Sequence, residues 1–274
     1  MKINSELPLC LLNKNEEINE FDFVLYHLYD NCEEYKNHFL NLRKNMPNRT
    51  MILDNSAYEY FVKGEELSIE GFLSAILELQ PDYYILPDTL MNYEKTLNDT
   101  KFFISNYSNN ITKSKPIAVL QGNSIEHFSN CAQEYMELGI NAICIPFHNS
   151  FLKEMGLYSN QDIQNEFMDI YGESVTEDML YAMGRVQFTR NFKDVLDKFE
   201  YVHFLGSHCP LEKVFYKDFN SMDTGYPVKC AYMGDLLFEE LKKPEVIIDD
   251  FLHDDLDIET KELIEINVKL FRDL

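Results

Sequence analysis

The sequence predicts an α/β protein, a (β/α)8 TIM-type barrel forming a single domain over residues 1–274. Three observations carry this. Short, nearly continuous apolar runs recur along the chain, stretches of helical periodicity lie between them, and no G-x-G-x-x-G or P-loop follows the first run. A run that is apolar at almost every position suits a parallel strand covered on both faces.

The runs are 21–29 (FDFVLYHLY), 49–54 (RTMILD), 83–87 (YYILP), 116–121 (PIAVLQ), 142–146 (AICIP), 201–206 (YVHFLG) and 219–224 (FNSMDT). These give seven strands, and the eighth is left unplaced. Residues 68–78 (SIEGFLSAILE) repeat apolar side chains with a period near 3.6, behind Ser68 as N-cap. Residues 92–105 read as helix, and 124–138 as a helix that opens on Ser124 and stops before Gly139. Residues 177–199 hold one or two helices, 211–216 a short one, and 259–272 an amphipathic C-terminal one. The polar stretch 149–172 is expected to be an irregular insertion or lid. The segment 245–274 is expected to be an acidic solvated stretch followed by that last helix.

The formal charge is −23, with 24 Lys and Arg against 47 Asp and Glu. Such a surface repels phosphate backbones, so nonspecific nucleic-acid affinity is expected to be low unless basic residues cluster or a basic partner assists. The six cysteines are dispersed, with no C-x-x-C pair and no zinc-type Cys/His spacing. This suits thiols in a reducing cytoplasm. No signal-peptide pattern opens the chain and no apolar run is of bilayer length, so no membrane partner is expected.

In such barrels chemistry gathers at the C-terminal ends of strands. Here the strand ends read Asp54-Asn55-Ser56-Ala57-Tyr58, Pro87-Asp88, Gln121-Gly122, Leu205-Gly206-Ser207-His208 and Asp223-Thr224-Gly225-Tyr226-Pro227. Each has an ordinary structural explanation. An Asp after a strand often caps a helix, Gln-Gly makes a turn, Leu-Gly permits close packing, and Tyr58 suits a barrel rim. His203, inside a strand, reads as a satisfied core histidine, and His208 as a residue able to reach the barrel mouth. The expectation of chemistry rests on convergence of three carboxylates, an amide and a glycine. Two carboxylates can divide glycosyl transfer, one attacking the anomeric carbon and the other managing the leaving group's proton. A third carboxylate and a Gln can read the hydrogen-bonding edge of a base, and a rim tyrosine can stack on it.

The order of these motifs, over roughly residues 51–231, resembles the tRNA-guanine transglycosylases and their DNA-modifying relatives, which exchange guanine for a 7-deazaguanine. The resemblance implies Asp223 as nucleophile at C1′ and Asp54 in proton transfer near the base. It implies Asp88 on the Watson–Crick edge, Gln121 and the Gly206 N–H on the six-position carbonyl, and Tyr58 stacked on the ring, with Ser56, Gly122 and Leu205 completing the substrate-binding set. It implies no cofactor. The tRNA enzymes carry a zinc site of closely spaced cysteines and a histidine after the nucleophile, whereas only Cys230 stands there in this chain, so no metal is implied. They also carry basic surface, which this acidic chain lacks, so DNA is favoured over tRNA as the nucleic-acid partner, with a basic partner protein as a helper. Two other readings stay open: a non-catalytic protein that binds a purine, a 7-deazaguanine or a basic partner, and a hydrolase of N-glycosidic bonds in nucleosides or nucleotides. Self-association into a homo-oligomer is also left open.

Overall fold

A computed structural model of the protein describes residues 1–147, 160–171, 177–207, 209–210, 212–237 and 255–274. Its strands are β1 (Lys2–Ser5), β2 (Asp22–Leu25), β3 (Met51–Asp54), β4 (Tyr83–Ile85), β5 (Lys115–Val119), β6 (Ala142–Pro146), β7 (Tyr201–Leu205) and β8 (Ser221–Thr224). They form one parallel eight-stranded sheet in the order β1-β8-β7-β6-β5-β4-β3-β2, the strand order of the (β/α)8 barrel that the sequence predicts.

The eighth strand is β1, formed by the sequence KINS. It is short and three of its four residues are polar, so no apolar run announces it. Its Asn4 and Ser5 are buried all the same, and Asn4 lies in register with Asp223 of β8. The 21–29 run is only half strand. After Leu25 the chain turns into the helix Tyr26–Asn31, so Tyr26, Leu28 and Tyr29 are buried from a helix. Two helices without a sequence forecast, Glu33–Asn45 and Ala57–Lys63, follow β2 and β3. The expectation of irregular backbone over 149–172 is corrected in part, because Gln161–Tyr171 is helical. Residues 149–159 and 172 lie outside the described residues, as do 245–254 of the acidic stretch.

By compactness the chain divides into two units. One comprises Phe21–Ile145 and Lys198–Val202. Its strands are buried on both faces, with Val24, Ile52, Leu53, Ile85, Ile117, Ala118 and Ile143 all fully inaccessible. Phe72, Phe103, Phe128 and Tyr135 are carried by the helices Ile69–Leu79, Tyr93–Tyr107 and Ile125–Glu137 and are equally buried, each contributing about 1.5–3 kcal/mol. Those three helices begin where the side-chain chemistry dictates. Ser68 accepts from the Gly71 N–H at 3.2 Å, Asn92 from the Lys95 N–H at 3.0 Å and Ser124 from the His127 N–H at 3.1 Å. Tyr201 stacks on Tyr83 at 4.4 Å within this unit.

The other unit comprises Met1–Glu20, Pro146–Asp197 and His203–Leu274. Its aromatic centre is Phe204, stacked on Tyr216 at 3.9 Å and edge-on to Phe219 at 5.4 Å. The last helix, Ile258–Asp273, buries Ile264, Val268 and Phe271. It also buries Asn267, whose Oδ1 accepts from the Leu237 N–H at 2.7 Å and whose Nδ2 donates to the Asp235 carbonyl at 2.9 Å. No described helix is long and apolar enough to cross a membrane.

Asn267 thus ties the C-terminal helix to the chain that follows the helix Tyr226–Tyr232. Replacing it with Leu keeps the volume but strands a buried N–H and a carbonyl. We expect Asn267→Leu to lower unfolding free energy by about 2–4 kcal/mol, read from urea denaturation. A loss near zero would show that the helix is held by its apolar face alone.

Candidate active site

In the first unit the predicted residues Asp54, Ser56, Asp88 and Gln121 sit in two hydrogen-bonded groups. β3 ends in Asp54, which is 8% exposed. Its Oδ2 accepts from the Ser56 N–H at 2.7 Å. That bond helps hold Ser56 at φ 56°, a left-handed conformation that non-glycine residues rarely adopt. The Ser56 Oγ in turn accepts from the His27 N–H at 3.1 Å and lies 3.0 Å from His27 Nδ1. Ser56 therefore starts the helix Ala57–Lys63 with its side chain turned toward the helix Tyr26–Asn31 rather than capping. That helix has no buried residue, and Tyr58 is 43% exposed.

The second group is centred on Asp88. Its Oδ1 accepts from Asn55 Nδ2 at 2.8 Å and its Oδ2 from Gln121 Nε2 at 2.7 Å. Asn55 Nδ2 also donates to the Leu86 carbonyl at 2.7 Å, and Gln121 Oε1 accepts from the Met91 N–H at 2.9 Å. The ends of β3, β4 and β5 are thereby tied into one polar chain. Each Asp88 oxygen keeps a second lone pair, so the carboxyl can still meet a donor from a ligand. Burial raises the Asp88 pKa above its ordinary 3.8, against the Asn55 and Gln121 hydrogen bonds, which lower it. Gly122 follows with φ 152°, and a Cβ there would stand 2.7 Å from the His127 Cβ, so only glycine fits.

In the second unit β7 and β8 bring Leu205, Gly206 and Asp223 together. Asp223 is 4% exposed. The Gly206 N–H donates to both of its oxygens at 3.1 Å, and His203 Nε2 stands 2.9 Å from Oδ1. The carboxylate can only accept, so the proton in that bond belongs to His203 Nε2. His203 Nδ1 lies 2.8 Å from Ser221 Oγ. The register explains the cluster: His203 pairs with Ser221 across the ladder, and Asp223 is two residues on, on the same face. The Gly206 N–H, which the resemblance assigns to a base carbonyl, is therefore already engaged by Asp223. His203 is a satisfied core histidine, as expected, and one of the groups that satisfies it is the expected nucleophile.

Gly206 stands at φ 60°, which its lack of a side chain allows. The turn is fixed from behind by Arg185, which is fully buried on the helix Glu177–Asn191. Its guanidinium donates to the Leu205 carbonyl at 2.9 Å and the Gly206 carbonyl at 2.7 Å, and bidentately to Glu212 at 2.8 and 2.9 Å. Ser207 Oγ donates to Glu212 at 2.8 Å, and Thr224 Oγ1 to the Ser207 carbonyl at 2.8 Å. His208 lies outside the described residues. Among the described residues no three His, Cys, Asp or Glu side chains group so as to hold a metal ion.

Sequence reasoning left several of these residues without a role. Ser221 and Asp223 carry a detectable signal, two polar side chains at alternate positions of one strand. Asn55 lies inside the motif but was given no role. Arg185 and Glu212 are 27 residues apart with no local pattern linking them. No protein-family model matches the chain, and no curated protein matches it.

Two outcomes follow. Because its folded-state pKa is raised, Asp88 keeps its proton in the folded chain at pH values where the unfolded chain has lost it. Its contribution to stability is present at low pH and is lost as pH rises from about 4 through the raised value. Asp88→Asn should therefore gain stability relative to the unsubstituted protein as pH rises from 4 to 7, measured by urea titration at each pH; an unchanged difference would refute this. Arg185→Leu, which leaves Glu212 buried without its cation, should cost about 3–5 kcal/mol, and a loss under about 1 kcal/mol would show the pair to be solvated.

Proposed function

We propose that the chain is a base-exchanging transglycosylase that replaces guanine with a 7-deazaguanine in a nucleic acid, DNA rather than tRNA, through a covalent aspartyl-glycosyl intermediate. The observation that carries this reading is Asp223. A buried carboxylate at a strand end, oriented by a backbone N–H and an imidazole, is what an attacking carboxylate needs: a fixed direction, and donors that stabilise its charge when it leaves again.

An Asp223 oxygen bonds to C1′ as the C1′–N9 bond breaks, and the bond's electron pair leaves with guanine. Asp54 supplies the proton that neutralises the departing base. The incoming 7-deazaguanine then gives its N9 proton to Asp54 and attacks C1′, and the C1′–Asp223 bond breaks to restore the carboxylate. The remaining lone pairs of Asp88 meet the donors of the Watson–Crick edge, the second amide proton of Gln121 Nε2 donates to the base carbonyl, and exposed Tyr58 supplies a flat apolar face. A charge of −23 opposes a polyanionic substrate, so turnover on DNA is expected to fall less steeply with salt than for a basic protein and to gain from a basic partner.

The test is incubation with labelled 7-deazaguanine and guanine-containing DNA, tRNA or free nucleotide, with and without a polycation. Label should enter DNA, and Asp223→Asn should reduce entry by about 10⁴-fold or more. Guanine released without exchange would instead mark a hydrolase. Binding of the base with no turnover on any acceptor would mark a binding protein.

A further inference from the structure

We infer that His203 is a positioning residue for Asp223: through its Nε2–H it holds Oδ1 as the spectator oxygen, leaves Oδ2 to form the bond to the sugar, and stabilises the carboxylate as that bond breaks again. This rests on the transglycosylase reading and adds to it which oxygen reacts and which step depends on a side chain that never touches the substrate.

The geometry separates the two oxygens. Oδ1 receives two donors, His203 Nε2 at 2.9 Å and the Gly206 N–H at 3.1 Å, whereas Oδ2 has only a share of the Gly206 N–H at 3.1 Å. Oδ2 is the less stabilised and therefore the more nucleophilic oxygen. When Oδ2 bonds to C1′, Oδ1 becomes the carbonyl oxygen of the glycosyl ester and keeps both donors. When the ester is broken by the incoming base, the electron pair returns to the carboxylate, and the charge that develops on it meets the Nε2–H and the Gly206 N–H without reorganisation. The second step thus gains most from His203.

The histidine is built for that orientation. Both His203 and Ser221 are wholly inaccessible to solvent. An imidazole that deep in a strand is costly unless both ring nitrogens have partners. Ser221 Oγ at 2.8 Å from Nδ1 lets the hydroxyl donate there, which leaves the ring proton on Nε2, facing Asp223. The ladder places the two residues opposite one another, so the ring is held from the strand itself.

A purely structural His203 would give the same packing and the same tautomer, but no effect confined to one step. With ¹⁵N-histidine labelling, one of the seven histidines should show a hydrogen-bonded Nε2–H signal that is absent in His203→Gln and shifted in Asp223→Asn. A ring protonated on Nδ1 alone would overturn the inference with no need of a folded variant. In single-turnover experiments with a guanine-containing oligonucleotide, His203→Met should leave adduct formation within a few-fold while slowing its discharge by 7-deazaguanine about 10²-fold. His203→Gln, whose amide nitrogen can take the place of Nε2, should restore most of that rate. Discharge equally fast in His203→Met would refute the inference alone. Failure of the unsubstituted protein to form any adduct would remove the transglycosylase reading along with it.

Discussion

The Asp223 carboxylate, held by the Gly206 N–H and by His203, is the interaction on which the second unit is organised. A carboxylate with 4% exposure persists only if its lone pairs are met. Meeting them fixes the β7–β8 register, since a shift of one residue would turn His203 and Ser221 to the opposite face. It also demands the left-handed backbone of Gly206, and that turn in turn needs its outward carbonyls satisfied. The buried Arg185 does so at Leu205 and Gly206; Glu212 neutralises the guanidinium and is itself held by the Ser207 and Tyr216 hydroxyls, which donate to its carboxylate. The buried ion pair is thus better understood as the support of a turn than as a store of stability.

The first unit solves the same problem with different groups. Asp88 is met by the side-chain amides of Asn55 and Gln121, and among the described residues no cation forms an ion pair with it. Amides orient a carboxyl without compensating its charge. Burial therefore wins and the Asp88 pKa rises. A carboxyl whose pKa is raised can, when protonated, donate as well as accept. Asp54, by contrast, is turned back on its own chain through the Ser56 N–H, and that bond draws Ser56 into a strained conformation. Strain of this kind at a strand end is common where backbone shape serves a site.

The sequence made much of the frame legible. β3 to β8 fall within the apolar runs or a residue of them, because parallel strands covered on both faces leave a continuous apolar signature. The helices at 69, 93 and 125 open on Ser68, Asn92 and Ser124, as side-chain capping requires. β1 escaped because four residues that include Asn and Ser carry no apolar signature, and its place in the sheet comes from pairing with β8. The helix Tyr26–Asn31 escaped because buried helix and buried strand look alike over so short a run. At the site, residue types at strand ends were readable, but their partners were not. His203 looked like core because it is core. Arg185 and Glu212 meet only through tertiary folding, and the Gly206 N–H was committed to Asp223 by a backbone turn that no residue pattern specifies.

The central claim is that Asp223 attacks the sugar. Its most direct test is peptide mapping of the protein quenched in acid during turnover on a guanine-containing oligonucleotide. The account predicts a nucleotide-linked mass on the peptide that contains Asp223, discharged on adding 7-deazaguanine and absent from Asp223→Asn. An adduct on another residue, or base exchange that proceeds undiminished in Asp223→Asn, would contradict it.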